Sequence, residues 1–227
     1  MGNGETKERM KTDTKPTLYK SIIALYLWIG MIQFNFMLVA AAFFLPLRIG
    51  ASILALLGLL RLIPINPKSK FGSKVARFIS KNAYGYFPIT VHLEDEKAFD
   101  PDQAYVFGYE PHTIFALGAW ALTDRAGLTP LPRIKFMASS LAFNIPVLRH
   151  IWAWLGCVPV TRKSFIKQLA AGTSCITVPG GVQETIYLER NSEVAFLNSR
   201  KGFIKLAIEM GSPLVPVFCF GQMAINW

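Results

Sequence analysis

The 227-residue chain is basic and apolar: 52% of its residues are hydrophobic, and its formal net charge is +10 at pH 7. A mean hydropathy of +0.35 is high for a soluble protein, so a membrane or a nucleic acid is the expected partner. No zinc-finger spacing, basic-region heptad or RNA-recognition signature occurs, which argues against nucleic acid. The three cysteines lie in apolar segments without metal-site spacing, as is typical of buried reduced thiols.

The first long segment is a candidate for the membrane. Residues 21–47 carry no charge and exceed the ~20 residues that span a bilayer. Residues 49–60 form a second apolar run that is too short to span, and Pro46 favours a break between the two. Either a spanning helix precedes a short dipping helix, or both halves form a hairpin that enters and leaves by one face. The basic flanks, residues 1–20 and 61–90, favour the hairpin with both flanks in the cytosol.

After the basic flank, strand-like and helix-like segments alternate. The strand predictions cover residues 89–93, 104–109, 134–137, 157–160, 175–178 and 214–218. The helix predictions cover residues 114–125, 145–155, 163–171 and 201–210. This alternation predicts an α/β fold with a mostly parallel sheet flanked by helices. We expect a tail at residues 1–20, a membrane hairpin at 21–62 and a cytosol-facing domain at 63–227. Because the chain stops soon after the last predicted strand, we expect this domain to be incomplete.

The tetrapeptide Glu110-Pro111-His112-Thr113 lies between a strand-like run and a helix-like run. The sequence therefore predicts that His112 lies where a strand ends and a helix begins, with Pro111 at the first helical position. Functional groups of α/β folds collect at the carboxyl ends of strands. The positive end of a helix can hold a histidine neutral, so that it serves as a general base. A capping or core histidine is the alternative, and for a histidine on its own it is the commoner role.

Three later segments place further polar groups and glycines beside predicted strand ends and at a helix start. These residues are Arg162, Lys163, Gly180, Gly181, Glu184, Arg200 and Lys201. Because the carboxyl ends of parallel strands meet at one sheet edge, we expect His112, Arg162 and Glu184 to lie together. Taken one at a time, these residues are better explained as a solvated helix start and an ordinary turn; their joint occurrence on the alternating pattern is what favours a site.

Together such residues support acyl transfer. A neutral histidine removes the proton of an attacking hydroxyl, and arginine or lysine binds an anionic carrier. The backbone of Gly180 and Gly181 can approach a thioester closely or donate to its oxyanion. Three roles for Glu184 stay open: orienting His112, binding the acceptor hydroxyl, or pairing with Arg162.

Other chemistries fit less well. The chain has neither the G-x-S-x-G elbow of serine hydrolases nor the G-x-x-x-x-G-K-[ST] loop of nucleotide-binding proteins. Its histidines do not have zinc spacing, and we expect its cysteines to be core thiols rather than nucleophiles.

Taken in order, these segments resemble the type-2 diacylglycerol acyltransferases, most closely the plant members. The resemblance rests on Y-V-F-G-Y-E-P-H-T at 105–113, V-P-G-G-V-Q-E at 178–184, R-K-G-F-I-K-L-A at 200–207 and V-P-V-F-C-F-G at 215–221. His112 matches the catalytic histidine of the family, and glutamate at Glu110 is what plant members carry. Glycerol-phosphate and lysophosphatidate acyltransferases instead use H-x-x-x-x-D, and here the aspartate position is Leu117.

The resemblance implies an endoplasmic-reticulum membrane enzyme, with the lipid droplet as a further location. It implies transfer of a fatty acyl group from acyl-CoA to diacylglycerol, without a cofactor. His112, Glu110 and Glu184 are then the candidate catalytic residues. The candidate substrate-binding residues are Pro111, Arg162, Lys163, Gly180, Gly181, Arg200 and Lys201. The expected partners are acyl-CoA, diacylglycerol, membrane lipids and, as an open question, a second copy of the chain.

Two alternatives remain at this point. The acceptor could be monoacylglycerol or a long-chain alcohol, because the acyl and acceptor pockets cannot be told apart in the sequence. The chain could also be a truncated, non-catalytic relative that binds membrane lipid.

Overall fold

The computed structural model describes residues 8–9, 16–87, 89–113, 115–187 and 195–222. The helices are α1 (Leu18–Leu25), α2 (Met31–Phe44), α3 (Leu47–Leu62), α4 (Lys70–Ala83), α5 (Leu117–Ala121), α6 (Leu148–Trp154), α7 (Arg162–Ala170) and α8 (Gly202–Glu209). The strands are β1 (Glu8–Arg9), β2 (Val91–His92), β3 (Val106–Glu110), β4 (Ile134–Ala138), β5 (Cys157–Pro159), β6 (Ser174–Thr177) and β7 (Leu214–Phe218). The chain forms two compact units, one of Met1–Lys11, Ile89–Ala138 and Val160–Trp227, the other of Thr12–Pro88 and Ser139–Pro159.

The second unit begins with a long apolar helical stretch. A π-helical turn, Tyr26–Gly30, joins α1 to α2, so that Leu18–Phe44 runs on for 27 residues. Among the residues described, it is the one helical stretch long and apolar enough to cross a membrane. Pro46 separates α2 from α3, as the sequence predicted. The two helices pack closely, because a Cβ on Gly50 would lie 2.2 Å from the Ala42 carbonyl oxygen.

The amphipathic helix α4 buries its apolar face within this unit. Ser69 caps its first turn, since the Ser69 hydroxyl accepts a hydrogen bond from the Gly72 backbone N–H at 3.1 Å. Ala76 and Ile79 are fully buried between α1 and α6. The charged face of α4 stays exposed, so packing of one stripe holds the helix in place.

The first unit is built on a mostly parallel sheet, which confirms the sequence prediction. Its strands lie in the order β4, β6, β3, β7, with β3 parallel to both neighbours and β4 parallel to β6. Val106, Ile134 and Ile176 are completely buried, as expected for strands covered on both faces. Helices α5, α7 and α8 flank this sheet. Strands β1 and β2 form a separate antiparallel pair.

The register places three strand ends beside one another. Gly108 of β3 is opposite Thr177 of β6, and Glu110 of β3 is opposite Phe218 of β7. The Cys219 backbone N–H donates to the Glu110 carbonyl at 2.9 Å, one step beyond the β7 ladder. The loops that follow β3, β6 and β7 therefore emerge together at the carboxyl edge of the sheet.

Candidate active site

His112 lies in the loop directly after β3, half-buried, and two contacts fix it. Its backbone N–H donates to Glu184 Oε2 at 2.7 Å. Its ring Nδ1 lies 2.6 Å from the Thr113 carbonyl oxygen. Because a carbonyl only accepts hydrogen bonds, this contact requires a proton on Nδ1, so that in the neutral ring the lone pair is on Nε2. That tautomer is the one that a general base requires.

The predicted helix start at this histidine is wrong. The first helix after β3 is α5, which begins only at Leu117, and Pro111 follows a cis peptide bond rather than opening a helix. Thr113 has a φ of 51°, a left-handed conformation that no right-handed helix contains and that a β-branched residue seldom adopts. The helix dipole therefore does not act on His112, and the Thr113 carbonyl orients the ring instead. Residue 114, where the predicted helix would begin, is outside the described residues.

Glu184 comes from the turn after β6 and reaches the histidine loop. It is fully buried, and both of its oxygens accept backbone hydrogen bonds, one from His112 and one from the Phe196 N–H at 2.7 Å. It therefore ties the loop after β3 to the segment before α8. Among the three roles considered for Glu184, the geometry favours positioning of His112 through the backbone.

The two glycines before Glu184 make this reach feasible. A Cβ on Gly180 would lie 1.8 Å from Glu184 Oε1, so a side chain there would displace the carboxyl group. Gly181 has a φ of 59°, which favours glycine and opens the 3₁₀ turn Gly181–Tyr187.

Glu110, the last residue of β3, is buried beside Glu184. Only 5% of it is exposed, and its carboxyl oxygens meet no described partner in good hydrogen-bond geometry, although the Glu184 carboxyl and the Gly180 backbone lie nearby. Burial, and then interaction with Glu184, raises the pKa of Glu110 to about 8. This shift favours the protonated form of Glu110, which can both donate and accept a hydrogen bond.

Gln222 is a site residue that the sequence reasoning missed. Its side-chain amide donates to the Pro111 carbonyl at 2.8 Å and to the Thr113 hydroxyl at 2.9 Å. Its carbonyl accepts from the Gly118 backbone N–H at 3.2 Å and from the Tyr109 hydroxyl. Gln222 is 1% exposed. Gln222 is a polar residue in an otherwise apolar segment, four positions after the end of β7. That pattern could have identified it in the sequence.

Several of the predicted binding residues share a cleft of about 730 Å³ beside the turn after β6. Arg162, Gly180, Gly181 and Arg200 line it, and so does Lys205, which the sequence reasoning did not single out. We call this the cationic cleft. Lys163 and Lys201 are exposed and do not line it. The Thr161 hydroxyl accepts from the Ser164 N–H at 3.2 Å, which caps α7 and sets Arg162 in its first turn.

Arg162 does not join His112 and Glu184. Its guanidinium donates to both carboxyl oxygens of Glu209, at 2.6 and 2.8 Å, with both side chains largely exposed. Arg200 donates to Gln183 Oε1 at 2.5 Å. The exposed Arg162–Glu209 ion pair contributes little and is screened by salt, and the Arg200 contact is to a neutral amide, so both arginines are available to an anionic ligand. Within the described residues, no cluster of three or more His, Cys, Asp or Glu could hold a metal ion.

Comparison with known proteins assigns a family to this arrangement. The model of the family described as "Diacylglycerol acyltransferase" matches residues 31–226. Diacylglycerol O-acyltransferase 1 of Saccharomyces cerevisiae is 37% identical over 59% of this chain and 33% of its own length. Diacylglycerol O-acyltransferase 2 of Danio rerio is 36% identical over 60% of this chain and 40% of its own. Human 2-acylglycerol O-acyltransferase 1 is 33% identical over 63% of this chain and 44% of its own.

The matched regions of these three relatives thus span under half of each relative's length. Among solved structures, the 1-acyl-sn-glycerophosphate acyltransferase of Thermotoga maritima superposes with a TM-score of 0.37 at 13% identity, over 88% of this chain and 73% of that chain. Because the family model matches most of the sequence, the chain belongs to the diacylglycerol acyltransferase family.

Proposed function

We propose that the protein is an acyl-CoA:diacylglycerol O-acyltransferase that makes triacylglycerol. The observation that carries this proposal is the Nδ1–Thr113 contact, which frees Nε2 of His112 to act as a base in a member of this family. The reaction uses acyl-CoA as a substrate and needs no cofactor.

His112 is the general base in the proposed reaction. Nε2 takes the proton from the free hydroxyl of diacylglycerol as the hydroxyl oxygen attacks the thioester carbon. A new C–O bond forms, and the carbonyl oxygen carries the negative charge of the tetrahedral intermediate. Collapse of the intermediate breaks the C–S bond, and the imidazolium returns its proton to the departing CoA thiolate. Triacylglycerol and CoA leave, and the neutral histidine is regenerated.

The cationic cleft is the proposed site of the CoA moiety. Arg162, Arg200 and Lys205 can meet the phosphates, since guanidinium and ammonium groups bind phosphate oxygens well. The turn at Gly180 and Gly181 lies between this cleft and Glu184, where bare backbone can approach the thioester. Lys163 and Lys201 are exposed and do not line the cleft. We propose that they attract the anionic substrate toward it.

The membrane hairpin is proposed at residues 21–62, within the helical stretch Leu18–Phe44 and helix α3. Its length, composition and close packing at Gly50 support this, together with the basic residues that flank it. The tail at residues 1–20 and the domain at 63–227 then face the cytosol at the endoplasmic reticulum. Uncharged glycerides partition into the bilayer, so the acceptor would reach the site from the membrane.

The test uses membranes of cells that lack their own triacylglycerol synthesis. The chain, its His112→Ala variant and a control, His92→Ala, are expressed there and supplied with labelled palmitoyl-CoA and diolein. His92 is exposed on β2 and serves as a matched histidine. We expect label in triacylglycerol from the parent and the control, and a loss of about 100-fold or more in His112→Ala.

Parallel assays with monoolein and with a long-chain alcohol separate the acceptors. Faster transfer to either one than to diolein would contradict the acceptor assignment. Full transfer by His112→Ala would contradict the base assignment.

A further inference from the structure

A second cleft, of about 380 Å³, lies on the face of the sheet that α8 covers. Its walls are apolar: Phe203 and Ile204 come from α8, and Pro216 and Phe218 from β7. Among the described residues that line it, Glu110 is the one with a polar side chain, and none is cationic. We call this the Glu110 cleft.

Gly108 contributes to the space between β3 and α8. A Cβ at this position would lie 3.3 Å from the Phe203 ring, tighter than an ordinary contact. The opposite walls are open to ligand, since Ile204 is 37% exposed and Phe218 is 44% exposed. Exposed apolar walls around a concave site are typical of a binding cleft for an apolar ligand.

The carboxyl group of Glu110 is the unusual feature of this cleft. It is buried, and its oxygens meet no described partner in good hydrogen-bond geometry, although Glu184 and the Gly180 backbone lie close enough to shift its pKa. Burial and the neighbouring Glu184 carboxyl raise that pKa and so favour the protonated acid. An unpaired buried polar group costs free energy, which a ligand would recover by pairing with it. The ligand that suits a neutral acid in apolar surroundings is itself uncharged and carries an ester or hydroxyl oxygen.

The two clefts divide the substrates by charge. Pro179 and Phe203 line both, so the clefts adjoin. The cationic cleft suits a phosphorylated carrier, whereas the Glu110 cleft offers no described cation to a phosphate. Glu110 is also only two residues before His112, which takes the proton of the acceptor in the proposed reaction.

We propose that the Glu110 cleft holds the uncharged acyl-glycerol acceptor and that Glu110 donates a hydrogen bond to one of its ester carbonyls. This inference rests on the proposed function and adds the location of the acceptor and its polar contact. It predicts selectivity for neutral glycerides, because a phosphate placed here would be desolvated beside a carboxyl group without a counter-charge.

The first test is photo-crosslinking, which does not depend on activity. Membranes that contain the chain are treated with a diacylglycerol carrying a diazirine in its acyl chain, and the labelled peptides are mapped. We expect label on α8 and β7 that excess diolein removes and palmitoyl-CoA does not. Label that palmitoyl-CoA alone removes, or label absent from α8 and β7, would overturn the assignment. Specific labelling in a chain without transferase activity would support the cleft and refute the proposed function.

The second test separates the two substrates kinetically. Glu110→Ala is expected to raise KM for diolein about 10-fold and to leave KM for palmitoyl-CoA unchanged. Glu110→Gln keeps a donor and an acceptor, and is expected to recover part of the affinity for diolein that Glu110→Ala loses. Ile204→Trp fills the cleft from a partly exposed position and should raise KM for diolein without loss of folding. A rise confined to KM for palmitoyl-CoA in these variants would contradict the proposal.

Discussion

The loop that carries His112 and the cationic cleft both use the turn after β6, yet their polar groups are held in opposite ways. Around His112, Glu184 and Gln222 are buried and each binds specific backbone groups of the loop. In the cationic cleft, Arg162 is exposed and makes a pair that salt can screen. Buried hydrogen bonds therefore fix the conformation of the His112 loop. The cationic cleft instead provides positive charge from several residues.

Among the variants that test this contrast, the largest effect is expected at Gln222. Gln222→Met keeps the length of the side chain and removes its hydrogen bonds to the Pro111 carbonyl, the Thr113 hydroxyl and the Gly118 N–H. Each buried group left unpaired costs about 1–3 kcal/mol, and the strained Thr113 backbone loses a restraint. We expect kcat to fall about 10- to 100-fold while KM for palmitoyl-CoA stays unchanged, in steady-state kinetics.

Gln103→Met, at an exposed surface position, is the control for loss of a glutamine. A parent-like kcat in Gln222→Met would mean that the loop keeps its shape without this side chain, and the contrast between the two regions would weaken.

A smaller effect is expected at Gly180. Gly180→Ala places a methyl group where Glu184 Oε1 lies, so the carboxyl must move away from the His112 N–H. Overpacking of this kind costs about 1–3 kcal/mol. We expect a lower melting temperature and reduced kcat, measured on the protein in detergent micelles. Gly58→Ala is the matched control, because nothing lies within 4 Å of a Cβ there. Equal behaviour of the two variants would contradict the close approach of Glu184.

The pH dependence of stability tests the buried acid. Folded Glu110 keeps its proton up to a pKa of about 8, whereas the unfolded chain releases it near the ordinary value of 4.5. Its contribution to stability is therefore fully present below pH 4.5 and is lost as pH rises toward 8. The slope attributable to Glu110 is at most about 1.4 kcal/mol per pH unit, and screening lowers it.

Thermal unfolding at several pH values within that window measures this slope. Glu110→Gln should flatten the pH dependence, and Glu94→Gln, at an exposed acid, should not. Identical pH dependence of the parent and Glu110→Gln would show that Glu110 is ionised throughout.

The smallest single effects are expected in the cationic cleft. Arg162→Ala and Arg200→Ala should each raise KM for palmitoyl-CoA about two- to fivefold, because exposed charges are screened and shared. The rise should shrink at high salt, and Arg125→Ala, an exposed arginine outside the cleft, should have no effect. A loss of kcat of about 100-fold in either cleft variant would mean that the arginine acts on the reacting atoms.

The sequence by itself determined the framework. Alternating apolar strands and helices predicted the mostly parallel sheet, because fully buried strands and short connections have a strong local pattern. The segments around His112 and around Gly180, Gly181 and Glu184 were found because motifs at strand ends are continuous in sequence. The break at Pro46 followed from the covalent geometry of proline alone.

Only the tertiary structure decided how these segments meet. Gln222 reaches Pro111 across a separation of 111 residues, and Glu184 reaches the His112 N–H across 72. Contacts so distant in sequence follow from the parallel register of β3, β6 and β7 and leave no local pattern. The same contacts hold the loop after β3 out of the predicted helix. Arg162 likewise pairs with Glu209 rather than with the loop after β3, since burial and register, not spacing, select the partner of a long side chain.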